Sequence, residues 1–91
     1  MQYKDEKTLQ LINIFGKVLK EKRISLKDKS QTMLAFEYGL DSGNLSRIEN
    51  GKTDPKLTML WRISEALGIP VSELMKAVET KLGKDFHITE T

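Results

Sequence analysis

An all-α fold of five helices is predicted by three observations. The apolar residues gather in five clusters at intervals of three and four, the spacing of a buried helix face, and not in the alternation of a half-buried strand. Glycines at 39, 51 and 68 stand directly behind the second, third and fourth clusters, where left-handed backbone closes a helix. No internal repeat, low-complexity run or convincing strand interrupts the pattern.

A chain of 91 residues suits one domain with one core. Residues 1–82 are read as that domain and 83–91 as a polar C-terminal tail. Cysteine is absent, so neither a disulfide framework nor a thiolate metal site contributes. Packed apolar helix faces must supply the stability, and a hydrophobic content of 38% is compatible with that. No apolar run approaches the roughly 20 residues that cross a bilayer, and the first ten residues lack a secretory apolar segment. A soluble cytoplasmic protein without membrane partners is expected.

The first helix is expected over about Lys7 to Lys22, with Leu11, Ile12, Phe15, Val18 and Leu19 as its inward stripe. Gly16 lies inside it at a cost of about 1 kcal/mol against alanine, which close helix packing would offset. The connector Ile24 to Lys29 is expected to send Ile24 and Leu26 to the core. Ser30 caps the second helix, Gln31 to Tyr38, whose inner face is Leu34, Ala35 and Tyr38. Gly39 ends it, Leu40 drops into the core, and Asp41 caps a third helix from Ser42 to about Asn50 with Leu45 and Ile48 buried. After the turn Lys52-Thr53-Asp54-Pro55, a fourth helix from about Leu57 to Leu67 presents Leu60, Ile63, Ala66 and Leu67. Gly68 stops it. Ile69-Pro70-Val71 leads into a fifth, Val71 to Leu82, with Leu74, Met75, Val78 and Leu82 apolar.

Charge adds a second pattern. The net charge of +2 is unremarkable, but six basic residues (Lys17, Lys20, Lys22, Arg23, Lys27, Lys29) against two acidic ones crowd the segment 17–29. Such a bias creates either a positive face for phosphates or an ordinary solvated helix surface. Beside it, two short helices joined through Gly39-Leu40-Asp41 have the shape of a helix-turn-helix, which places its second helix in the major groove of DNA.

From Gly16 to Leu74, about two thirds of the chain, the sequence resembles the phage-repressor and Cro type helix-turn-helix domains, the xenobiotic-response-element family of transcriptional regulators. The matching words are GKVLKEKR, SQTMLA, Gly39-Leu40-Asp41, LSRIENGKTDP and LWRISEALGIPVSEL, five in the right order and spacing. The resemblance implies a five-helix lambda-repressor-like DNA-binding domain with its helix-turn-helix at helices 2 and 3, and a recognition helix at about 42–50. Base-reading then falls to Ser42, Gly43, Asn44 and Arg47. Asn pairs bidentately with adenine and Arg with guanine, each contributing about 1 to 3 kcal/mol of discrimination. Ser42 is ambiguous as a reader. Gly43 either lets the helix backbone approach a base or a thymine methyl, or is simply a tolerated small residue.

Phosphate contacts fix position, not sequence. By resemblance these go to Gln31, Asn50 and Lys52, with Lys56 at a position that is basic in some relatives. Ser46 is either a further phosphate contact or a solvated hydroxyl. Arg23 and Glu49 match a pair that in relatives joins the first helix to the end of the third, a structural role. The chain departs from the family in a connector about one residue longer between Arg23 and Gln31, in Lys22 at an often apolar position, in apolar Met33 and Phe36, and in a large Trp61. Phe36 and Trp61 are either ordinary core or partly covered surface, or a contact with another subunit.

One recognition helix reads only a few base pairs, so a homodimer on a two-fold symmetric operator is expected, with half-sites about 34 Å apart. Its interface is assigned to Trp61 and to Met75, Val78 and Leu82 of the fifth helix, unless the last three cover the monomer's own core. Catalysis, metal binding and cofactors have no support: the lone His87 sits in the tail, without cysteine or paired carboxylates at motif spacing. Asn44-Leu45-Ser46 fits a glycosylation pattern, but it falls on a helix and is read as chance. Two functions stay open. One is a sequence-specific transcriptional regulator, most simply a repressor, with a restriction-modification controller as a variant. The other is a protein-interaction module, such as an antitoxin, whose main ligand is another protein.

Overall fold

Asp5 opens the first helix: its carboxylate accepts a hydrogen bond from the Thr8 backbone N–H at 2.7 Å. The computed structural model describes residues 5–26 and 30–89. It contains α1 (Glu6–Ile24), α2 (Gln31–Glu37), α3 (Ser42–Glu49), α4 (Leu57–Leu67) and α5 (Val71–Leu82), with no strand among the described residues. Both of the last two helices keep their expected limits.

α1 runs two residues past its expected end, which corrects the reading of Ile24. That residue is the last of the helix and 58% exposed. Counting at 100° per residue, it lies about 140° around from Leu19, off the stripe formed by Ile12, Phe15 and Leu19. Leu26 does pack against the core. The remainder of the connector, Lys27, Asp28 and Lys29, lies outside the described residues.

Ser30 caps α2 as expected, its hydroxyl accepting from the Met33 N–H at 3.2 Å. Leu34 and Ala35 are buried, but Tyr38 is not a core residue: the chain has left the helix there, at φ −115°, and the side chain is 40% exposed. Gly39, at φ 68°, turns the chain so that the Leu40 N–H reaches back to the Ala35 carbonyl and its side chain enters the core. Asp41 then caps α3 through the Gly43 N–H at 3.2 Å.

A single core draws on all five helices. It includes Phe15, Val18 and Leu19 from α1, Leu34 from α2, Leu45 and Ile48 from α3, Ile63 and Leu67 from α4, and Leu74 and Val78 from α5. α1 packs against α3 and α5, α2 against α3, and α4 against α5. The close crossing of α1 and α3 explains Gly16. A Cβ there would stand 2.7 Å from the Glu49 carbonyl oxygen and nearer still to that of Ile48, so only glycine permits the approach.

Val78 is 1% exposed and sealed in this core, which removes it from any interface with a second chain. Met75 and Leu82 are half-buried against the same core. The segment after Gly83 folds back on α1, with the Lys7 ammonium 5.2 Å from the centre of the Phe86 ring.

Candidate nucleic-acid interface

α3 is fixed from below and open above. Leu45, Ile48 and Glu49 point inward from α3, while Gly43, Arg47 and the capping Asn50 are exposed and Ser42, Asn44 and Ser46 are half-buried. At the N-terminal end, Arg47 Nη2 donates to Asn44 Oδ1 at a long 3.5 Å. Arg47 Nη1 and the nearer Asp41 carboxylate oxygen each lie 3.7 Å from the point where a Cβ on Gly43 would stand. The two longest expected base readers are held side by side. Their spacing of three residues puts them on one face.

At the other end of α3, the Asn50 side-chain amide donates to the Ser46 carbonyl at 2.9 Å and reaches the Ser46 hydroxyl at 3.5 Å. Gly51, at φ 71°, reverses the chain, and the Lys52 N–H closes on the Arg47 carbonyl at 2.9 Å. Lys52 and Lys56 are exposed on the loop that follows. A shallow groove beside α3 is lined by Asn44, Thr53, Asp54, Pro55, Lys56, Thr58 and Met59. Thr53 belongs to the polar turn and Thr58 to the first turn of α4, and neither residue type marks a binding site by itself.

Arg23 grips Glu49 with two bonds, Nε to Oε2 at 2.6 Å and Nη2 to Oε1 at 3.0 Å. The Glu49 side chain is 1% exposed and that of Arg23 13%. The hydrogen bonds to Glu49 hold the guanidinium pKa above its already high ordinary value, outweighing the opposing effect of burial. Gln31 joins this pair: its amide donates to Glu49 Oε1 at 2.8 Å. The start of α2 is therefore tied to the end of α3 by the same carboxylate that ties α3 to α1, and Gln31 is only half-buried.

Trp61 lies away from this surface on α4, 56% exposed, with Leu57 one turn earlier at 70%. Phe36, on the outer side of α2, is 86% exposed and Met33 49%, so neither Phe36 nor Trp61 serves the core. Among the described residues no cluster of His, Cys, Asp or Glu could hold a metal, and no helix is long and apolar enough to cross a membrane.

A supported two-helix unit with an outward polar helix and flanking lysines defines a DNA-binding helix-turn-helix regulator. The helix-turn-helix family model matches residues 19–74. The chain belongs to that family, in its xenobiotic-response-element type, whose members are DNA-binding regulators and not enzymes. Similar proteins include the control protein C.MunI of Mycoplasma sp., 43% identical over 65 residues that span 71% of this chain and 88% of that one. The control protein C.BamHI of Bacillus amyloliquefaciens is 36% identical over 62 residues, 68% of this chain and 76% of the relative. Among solved structures, the restriction-modification controller protein C.AhdI from Aeromonas hydrophila superposes with a TM-score of 0.67 at 33% identity, over 72% of this chain and 94% of its own. The clp gene regulator ClgR from C. glutamicum shares the fold, with a TM-score of 0.72 at 23% identity, over 82% and 96% of the two chains.

Proposed function

We propose that the protein is a homodimeric, sequence-specific transcriptional regulator that binds a two-fold symmetric operator in double-stranded DNA and controls a restriction-modification system. The observation that carries this is the outer face of α3: Asn44 and Arg47 lie side by side on a helix whose inner face is locked by Leu45 and Ile48. The control and controller proteins among its relatives support the restriction-modification setting. Repression follows most simply, by occupancy of an operator that polymerase would otherwise use.

In this reading Ser42, Gly43, Asn44 and Arg47 face base edges. Ser46, Asn50, Lys52 and Lys56 line the phosphate track, and Gln31 reaches it with the amide N–H that Glu49 leaves over. Arg23 and Glu49 support the surface from beneath. The second copy docks on α4 and not on α5, because the apolar side chains of α5 turn to the monomer's own core whereas Leu57 and Trp61 stand exposed one turn apart. Ile69, Pro70 and Val71 flank Trp61 in a shallow groove that extends this apolar face.

The test is selection of bound sequences from random duplex DNA at several salt concentrations. A two-fold symmetric motif and an affinity that falls with salt are expected. Lys52→Ala should weaken all sequences about equally and reduce the salt slope by about 1, while Arg47→Ala should relax preference at one position per half-site. A second reading, in which a protein is the main ligand, draws on the exposed Phe36 and Met33 of α2. Failure to enrich any motif at low salt would favour it over the first.

A further inference from the structure

Asn50 is followed by Gly51, and the fold obliges the second residue to be glycine. Its φ of 71° lies in the left-handed region, and a Cβ there would collide with the Asn13 side chain. Asn50 is exposed, and its amide closes the end of α3 on the Ser46 carbonyl. The end of α3 therefore carries an Asn-Gly pair, the combination in which no side chain shields the following backbone nitrogen from the asparagine amide. Once deprotonated, that nitrogen can attack Cγ and expel ammonia to close a succinimide; water then opens the ring to aspartate or isoaspartate. Asn13 and Asn44, the other asparagines, precede Ile14 and Leu45 within α1 and α3, where a branched side chain and the helical hydrogen bonds block the same step.

We infer that Asn50 is a site of spontaneous deamidation gated by the turn after α3, and that its conversion weakens the hold on DNA. The closed turn restrains both reacting atoms. The Gly51 N–H, which must lose its proton, donates to the Ile48 carbonyl at 3.1 Å; the Asn50 amide nitrogen, which must leave, donates to the Ser46 carbonyl at 2.9 Å. Reaction thus proceeds from a locally opened turn. The product offers the Ser46 carbonyl no amide N–H and sets a negative charge at the C-terminal end of α3, against the helix dipole. The consequence for DNA rests on the function proposed above, in which Asn50 and Lys52 lie on the phosphate track: a carboxylate at position 50 repels what the amide attracted. A phosphate bound there holds the turn closed, so DNA protects the residue whose conversion weakens DNA binding.

The protein is incubated at mildly alkaline pH in native buffer, in concentrated urea, and in native buffer with an excess of the operator duplex it selects. Conversion is followed by peptide mass mapping with isoaspartate detection. In native buffer Asn50 should convert ahead of Asn13 and Asn44, on the order of thirtyfold more slowly than in urea because two hydrogen bonds must open first, and more slowly again with operator. Asn50→Asp should keep its helical circular dichroism and bind the operator on the order of tenfold more weakly. No native conversion of Asn50, conversion of Asn13 or Asn44 at the same rate, or a native rate equal to that in urea would overturn the gated site. Wild-type affinity in Asn50→Asp, or no protection by operator, would overturn its link to DNA. Mass mapping of the free protein needs no DNA, so selection of no motif would remove the DNA-binding function and that link, while the free-protein rates still decide the modification site.

Discussion

Glu49 is the residue on which the recognition unit is hung. Its buried carboxylate accepts from Arg23 of α1 and Gln31 of α2 while belonging to α3, so three helices meet at one charge. Removing Arg23 strands that charge, and breaking a buried pair costs about 3 to 5 kcal/mol. Arg23→Ala should therefore melt far below Lys20→Ala, whose side chain is exposed; equal melting temperatures in the two variants would contradict the role assigned to the pair. The raised pKa of Arg23 implies stability that is present below its unfolded value and lost only in strong alkali, so this group adds no pH dependence to stability in the physiological range. Asp5 behaves oppositely. The Thr8 N–H lowers its pKa below the usual 3.8, so its capping of α1 contributes above that value and disappears as pH falls through the lowered one. An NMR titration of the Asp5 carboxyl should give a midpoint below 3.8, and a midpoint at or above it would remove the cap's pH dependence. The Arg23–Glu49 contact was legible because the family resemblance covers both positions. The Gln31 bond was not, since an amide at a helix start serves a phosphate or a carboxylate equally well and only the fold decides which lies within reach.

At the scale of elements, the position of α3 depends on how closely α1 lies beneath it. Gly16→Ala would drive a methyl group into the carbonyls of Ile48 and Glu49, which are backbone and cannot swing aside. Overpacking of this kind costs about 1 to 3 kcal/mol. The expected result is a lower melting temperature together with weaker DNA binding, since the displaced element is the recognition helix itself. A thermal melt by circular dichroism with the same melting temperature as the wild type would show that α1 and α3 do not need this approach. The limits of α4 and α5 were readable because glycine and proline punctuate them: Pro55 precedes one, Gly68 and Pro70 separate the two, and Gly83 follows the other. α1 had no such punctuation at its C-terminal end, so Ile24 was assigned to a connector when it completes the helix. Val78 had two readings, a subunit interface or the monomer's own core, and its burial selects the core. A spacing of three and four residues marks a buried face without indicating whether the neighbour is the same chain or a second one.

At the scale of the whole molecule, geometry determines where a partner can sit. One chain measures 42 × 30 × 19 Å, and a two-fold operator asks for recognition helices about 34 Å apart. Two chains satisfy that spacing only if they meet on a face that leaves both α3 helices free. The interface proposed above lies on the outer face of α4, where Leu57 and Trp61 expose apolar surface that a second copy would cover. Trp61→Glu places a charge at the centre of that face without disturbing the core, because the Trp61 side chain is already 56% exposed. The variant should retain its helical circular dichroism, sediment as a monomer, and bind isolated half-sites with wild-type affinity while losing the advantage of the symmetric site. Val78→Ala provides the contrast: it removes buried methyl groups from the core at a cost of about 2 kcal/mol, lowering stability by its own packing defect and leaving the α4 face intact. A Trp61→Glu protein that still sediments as a dimer would move the interface away from α4.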